Sequence, residues 1–358
     1  MDIKDLTIEE KIGQKIMLGL DVTAINDEII NIIKDYKIGG VILYKKNYNS
    51  FEEMQKVINK LKRINKENRI PLFIAIDQEN GRVNRFPDDI TRINSARRQA
   101  KTKDLMLINN VNKITTELLE KAGVNMNIAP VLDISGDNDN SIIGNRSYGK
   151  TKDNVIKYGI PFMKYLQKHK IVSVIKHFPG HGLTNVNSHY LVPYISDLEK
   201  LEKRDLIPFE EAIKEGADTI MVGHLRLRGY GLKPASLNKE VIDKYLINKL
   251  NYKGVIISDD IKMGFIRYIF GLKNSAMLGF NAGDDIIIIK YGKNDSNNLY
   301  KKLYNTLKNP KYSEEINTSC KKIIDLKEKY QINDLITNNE IDKEKINKKI
   351  EKLNAQMK

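Results

Sequence analysis

Cysteine is almost missing from this chain: Cys320 is the only one in 358 residues, which excludes an intramolecular disulfide and a multi-cysteine zinc site. A long apolar run is missing too. No stretch approaches the roughly 18 consecutive apolar residues of a membrane-spanning helix, and the opening MDIKDLTIEEKIGQK carries no apolar signal core. A cytoplasmic protein with no membrane partner is expected. There is no repeat with a period of roughly 20 to 50 residues and no low-complexity linker that would split the chain.

Charge of one sign is plentiful but never concentrated. The formal net charge is +14, yet lysines alternate with acids in stretches such as KLKRINKEN and DLEKLEKRDL. Scattered lysines of this kind describe solvated helix faces, whereas a nucleic-acid partner calls for a clustered basic patch. No nucleic-acid partner is expected.

What the chain does have is a series of short Ile- and Val-rich blocks: KIMLGL, GGVILY, PLFIAID, VNMNIAPVLD, IVSVIKH, DTIMVGH, KGVIISDD and DDIIIIKYG. Eight strands are therefore expected. Between them lie segments such as FEEMQKVINKLKRINKEN and DNVIKYGIPFMKYLQKHK, whose apolar residues recur every three or four positions, as in helices with one buried face. Continuous apolar strands alternating with helices imply a parallel sheet covered on its outside. Eight such units predict an α/β fold of the (β/α)₈ barrel type in residues 1–331. A doubly wound open sheet is the runner-up, and the Asn- and Lys-rich residues 332–358 read as a terminal helix or frayed tail.

Ionisable residues fall at the strand ends. Asp77 closes PLFIAID, Lys176 and His177 close IVSVIKH, His224 closes TIMVGH, and Asp259 follows GVIIS. C-terminal strand ends are where barrel enzymes assemble their sites.

Histidine is scarce, and three of the five lie in KHFPGHGLTNVNSHY as His177, His181 and His189. A zinc site is one reading, but Phe178, Pro179, Gly180 and Gly182 describe a loop and not the helical HExxH arrangement. The other reading is a substrate loop. In it Lys176 and His177 are fixed donors at a strand end, and His189 is an acid or base carried further along. His181, between two glycines, can instead brace the turn.

Asp259 is the best candidate for a nucleophile, while its neighbour Asp260 suits the cap of the next helix. Asp77 has Arg82 and Arg85 nearby for a local salt bridge, and Arg146 can equally be structural. If Asp77, Arg146, Lys176, His177 and Asp259 converge, their acceptors and donors suit a ring of hydroxyls. That would be a sugar pocket.

The same motifs resemble the single-domain β-N-acetylglucosaminidases of glycoside hydrolase family 3. The similarity runs in family order through LTIEEKIGQKIMLGL, IGGVILYKKN, IAIDQENGRV, NMNIAPVLDI, IIGNRSYG, VIKHFPGHG with NSH, IMVGH, PASLN, GVIISDDIKMG and KKIIDLKEKY. The resemblance implies a (β/α)₈ barrel and retaining hydrolysis of a terminal β-linked N-acetylglucosamine. It makes Asp259 the nucleophile and His189 the acid/base, with Asp77, Arg146, Lys176 and His177 on the sugar hydroxyls.

No cofactor and no metal are implied, and the expected partner is an N-acetylglucosamine-containing muropeptide or oligosaccharide met by a monomer. Three positions depart from the family pattern. Asn187 stands where the family has the Asp of an Asp-His dyad, Leu183 stands in GHGLT, and Asn80 stands in DQENGRV. An amide at Asn187 can orient the His189 ring but brings no charge to it. The alternatives are therefore a family 3 β-glucosidase, β-xylosidase or phosphorylase, and a glycan-binding homologue with impaired turnover.

Overall fold

The computed structural model describes residues 1–136, 142–184, 193–292, 295 and 297–357. Eight parallel strands form one sheet: β1 Ile16–Asp21, β2 Gly40–Leu43, β3 Phe73–Ile76, β4 Met126–Asn127, β5 Val172–Phe178, β6 Thr219–Val222, β7 Val255–Ser258 and β8 Ile287–Gly292. From β1 to β7 each strand pairs with the next in sequence, and β8 returns to pair with β1 in the register Ile16↔Ile287 through Asp21↔Gly292. A bridge from Ile257 to Ile286 links β7 towards β8 and nearly closes the ring. This is the barrel the sequence predicts, and the open sheet is set aside.

Both faces of the sheet are buried, which is why the strands read as continuous apolar runs. Met17, Ile42, Phe73, Ala75, Met126, Val172, Val174, Met221, Val255, Ile257 and Ile288 fill the interior, with Ile323, Leu326 and Tyr330 packed against them. The alternate residues Ile16, Leu18, Val41, Leu43, Ile74 and Ile76 face outward to the helices. Among those helices, Phe51–Asn65 begins at the Ser50 cap and buries Phe51, Met54, Ile58 and Leu61, a three- and four-residue spacing that lays one stripe on the sheet. Leu105–Ala122 starts at Asp104, whose carboxylate accepts from the Met106 and Leu107 N–H groups.

Two elements differ from expectation. The VNMNIAPVLD block yields Met126–Asn127 as ladder and resumes only as a bridge from Val131 to Lys176, because between them the Ala129 N–H turns back to the Asn127 carbonyl and Pro130 has no N–H to give. The helical stretch beginning LEKRDLIPFEE restarts: a π-helical turn covers Leu201–Asp205, and the α-helix proper runs Ile207–Lys214. Pro208 cannot donate to the preceding turn, so the α ladder begins anew around it.

Beyond the barrel helix Ser313–Lys329, residues 332–342 run across the outside of the barrel and end in the helix Lys343–Ala355. Its Ile346 and Ile350, followed by Met357, are buried. Among the described residues, no helix is long and apolar enough to cross a membrane.

Candidate active site

The C-terminal strand ends surround a cavity of about 250 Å³ lined by Asp77, Glu79, Arg85, Arg146, Lys176, His177, His181, Asp259 and Lys290, among others. The structure thus brings Asp77, Arg146, Lys176, His177 and Asp259 to one place. His189 and Asn187 lie outside the described residues.

Strand β5 delivers its pair through an irregularity. The β5–β6 register shifts between Ile175 and Phe178, which re-aims the intervening side chains as a bulge does. The Lys176 ammonium donates to Asp77 Oδ1 at 2.8 Å and meets Glu79 Oε1 at 2.5 Å. Glu79 in turn accepts a two-pronged contact from Arg146, with Nε to Oε2 at 2.7 Å and Nη2 to Oε1 at 2.8 Å. Such fork-to-fork pairing fixes orientation as well as charge. Burial works against the Glu79 charge, but Arg146 and Lys176 overcome it and hold the carboxyl well below the usual range. Burial likewise opposes charge on Asp77, which Lys176 and Arg85 nevertheless keep low.

His177 is held at both nitrogens. Nδ1 lies 2.6 Å from Asp133 Oδ2, and Nε2 lies 3.3 Å from Arg146 Nη2. Arg146 can only donate, so in the neutral ring Nε2 is the acceptor and the Nδ1–H donates to Asp133. Asp133 is fully buried and also accepts the His181 backbone N–H at 2.7 Å. His181 Nδ1 meets Thr184 Oγ1 at 2.8 Å, whose hydroxyl donates to the His181 carbonyl, so the ring donates through Nδ1. Burial lowers His181 to about 4, which keeps it neutral at physiological pH. It braces the turn and also lines the cavity. Gly182 is required there: a Cβ would lie 2.2 Å from Asp205 Oδ1 and 2.4 Å from the Ile134 carbonyl.

Asp259 follows β7, with its backbone N–H on the Val222 carbonyl and Oδ1 accepting from Asp260 N–H at 2.8 Å. Burial would raise its pKa, but His224, His177, the Asp260 amide and Lys176 hold it below the ordinary value. Its second oxygen has no hydrogen-bond partner among the described residues. Asp260 serves the backbone, accepting from Lys262 and Lys290 N–H groups at 3.0 and 3.2 Å. His224 turns away from the cavity to Ser236 Oγ and the Asp260 carbonyl, at 2.5 and 3.0 Å. It holds the turn that presents Asp259.

Sequence reasoning missed Glu79 and Asp133. Asp133 ends the NIAPVLD block, so the strand-end rule applied to the fourth block would have found it. Glu79 sits inside a loop and gave no positional signal of its own.

A barrel whose mouth gathers carboxylates, cations and an oriented imidazole around a small cavity has the layout of a barrel enzyme's active site. The chain belongs to glycosyl hydrolase family 3, the model of whose N-terminal domain matches residues 7–326. Among its relatives, β-hexosaminidase A of Pseudoalteromonas piscicida is 29% identical over 321 residues, covering 79% of this chain and 54% of that protein. The chain thus spans about half the length of that relative. A β-hexosaminidase of Neisseria gonorrhoeae (strain ATCC 700825 / FA 1090) is 30% identical over 283 residues, covering 76% of this chain and 77% of the other. The solved structure of a family 3 β-N-acetylglucosaminidase from Paenibacillus sp. str. FPU-7 matches with a TM-score of 0.90 at 28% identity, covering 98% of this chain and 69% of that one.

Proposed function

We propose that this chain is a retaining exo-β-N-acetylglucosaminidase. The observation that carries the reading is the Asp259 carboxylate, ionised and with one oxygen unpartnered among the described residues, facing the same cavity as Asp77, Arg146, Lys176 and His177. The cavity lies just below the usual range of ligand pockets, about 300–1,000 Å³, and so suits one terminal sugar ring rather than an extended chain. Asp77 offers acceptors, Lys176 and Arg146 offer donors, and their ion pairs with Glu79 hold them in place before substrate arrives.

In this reading Asp259 attacks the anomeric carbon and forms a glycosyl-enzyme as the leaving oxygen takes a proton. Water then releases the sugar with retention. His189 is the acid and base of both steps, and Asn187, in place of a dyad aspartate, brings it no charge. The substrate is an N-acetylglucosamine-bearing muropeptide or oligosaccharide, met by a monomer in the cytoplasm.

The test is a panel of 4-nitrophenyl β-N-acetylglucosaminide, β-glucoside and β-xyloside, each with and without phosphate. Release of nitrophenol from the first, independent of phosphate, supports the reading. Preference for another sugar or dependence on phosphate overturns it, and tight binding of N-acetylglucosamine without turnover identifies a binding protein.

A further inference from the structure

The loop that aims Asp77 and Glu79 runs from the end of β3 to the helix Ala96–Lys101. Loops of that length inside a compact domain need something to hold them. Its near half is stitched by one side chain. Gln78 Oε1 accepts from Arg85 N–H at 2.7 Å, and Nε2 donates to Asn80 Oδ1 and Asn84 Oδ1 at 2.8 and 2.9 Å. The near and far halves are joined by Gly81 N–H on the Ile93 carbonyl at 2.8 Å.

The far half is held from outside the loop by the helix Lys343–Ala355. Asn347 accepts from Thr91 N–H at 2.8 Å and donates to the Asp89 carbonyl at 2.9 Å. Asn354 repeats the pattern, accepting from Asn94 N–H at 2.9 Å and donating to the Arg92 carbonyl at 2.8 Å. The two amides are seven residues apart, two helical turns, and so share a face. Lys343 adds an ion pair to Asp89 at 3.1 Å. Phe86, Ile90 and Ile93 of the loop and Ile346 and Ile350 of the helix lie in the same apolar cluster.

We propose that Asn347 and Asn354 are positioning residues for the active site: their paired hydrogen bonds fix the backbone of residues 89–94 and, through Ile93 and Gly81, the turn that presents Glu79 to Arg146 and Lys176. This rests on the glycosidase reading, and it makes the helix Lys343–Ala355 part of the working barrel. A two-pronged amide contact satisfies one donor and one acceptor of the loop at once, so its loss frees two backbone groups that have no alternative partner in the helix. Neither asparagine touches the cavity, so any kinetic effect travels through the loop.

The experiment uses the full chain carrying Asn347→Ala and Asn354→Ala together, beside Ile350→Val, which thins the packing of the helix and leaves both amides in place. The double variant is expected to lose on the order of tenfold in kcat/KM on 4-nitrophenyl β-N-acetylglucosaminide while unfolding cooperatively, because small misplacements of binding groups are costly in rate. Ile350→Val is expected to lower Tm and leave kcat/KM unchanged. Hydrogen exchange by mass spectrometry supplies a readout free of catalysis. Faster exchange in peptides covering 78–86 as well as 87–95 supports the proposal. Unchanged kcat/KM, equal kinetic loss in Ile350→Val, or faster exchange confined to 87–95 overturns it. If the parent chain hydrolyses no member of the sugar panel, the functional reading falls and the exchange result alone decides the positioning role.

Discussion

The two ends of the barrel both bury lysine, and they do so for opposite purposes. At the floor, Lys327 donates to Gln14 Oε1, the Gly39 carbonyl and the Pro71 carbonyl at 2.6, 2.8 and 2.6 Å, with its ammonium 4.5 Å over the Phe73 ring. All three donors end on neutral protein oxygens, and burial pulls its pKa down to about 7. At the mouth, Lys176 is as deeply buried but meets two carboxylates, which themselves reach Arg85 and Arg146. The floor lysine closes the end of the barrel; the mouth lysine belongs to a charged lattice with one side open to the cavity. Burial of a charge therefore carries no functional message by itself. The message lies in whether its partners are neutral and complete or charged and facing space.

The sharpest break in that comparison comes from Asp259. Asp259→Ala is expected to lower kcat by on the order of 10⁴-fold or more, as loss of a nucleophile does, with Tm within a few degrees of the parent. A 2-fluoro glycosyl substrate should label Asp259 in the parent, and labelling at Asp260 would overturn the assignment. Next in size is one substitution made at both ends. Lys176→Met should cost about 10²-fold in kcat/KM, the order seen for removing one preorganised donor, and should also lower stability, because Asp77 and Glu79 lose the cation they share and keep only Arg85 and Arg146. Lys327→Met should leave kcat/KM of the folded protein unchanged and cost about 2 kcal/mol of stability, because it strands buried acceptors. Chemical denaturation and steady-state kinetics on the pair measure both. If the two variants lose activity and stability in the same proportion, mouth and floor are not distinct in the way described.

How much of this was legible in sequence follows from where each signal is stored. The eight strands were readable because each is covered on both faces, so every position in blocks such as GVIL and FIAI had to be apolar. The placing of Asp77, Lys176, His177 and Asp259 at one cavity was readable because C-terminal strand ends converge on a barrel mouth, although the same rule also picked out His224, which holds a turn instead. Glu79 was not, because its meaning depends on Arg146, 67 residues away. The same holds for Asp133, which acts through His177, 44 residues further on. The helix at 343–355 showed only weak periodicity, since its polar face is specified by a loop some 250 residues earlier, as in the contact of Asn347 with Thr91, 256 residues apart.

The smallest expected effect concerns a group that belongs to neither end's pattern. Asp205 lies beneath the Gly180–Gly182 turn with both carboxylate oxygens buried and, among the described residues, without a well-formed hydrogen bond; Arg204 Nη1 stands 3.6 Å away and the Gly182 N–H faces the carboxylate. Burial raises it to about 7, with Arg204 and Lys200 opposing and Asp133 adding to the rise. Between the unfolded value near 4 and the folded value near 7, the folded state holds a proton that the unfolded state has lost, so Asp205 makes stability fall as pH rises through that window. His181 acts in the other direction. Its folded value of about 4 lies below the unfolded value, so stability rises with pH between about 4 and 6.5. The two slopes partly cancel in the parent. Asp205→Asn removes one of them, so the variant should match the parent's Tm near pH 4, gain on it up to pH 7 and keep a constant lead of a few degrees above that. A Tm difference that stays the same from pH 4 to pH 8 would mean that Asp205 is ionised throughout. The turn would then carry a paired charge, as the rest of the mouth does.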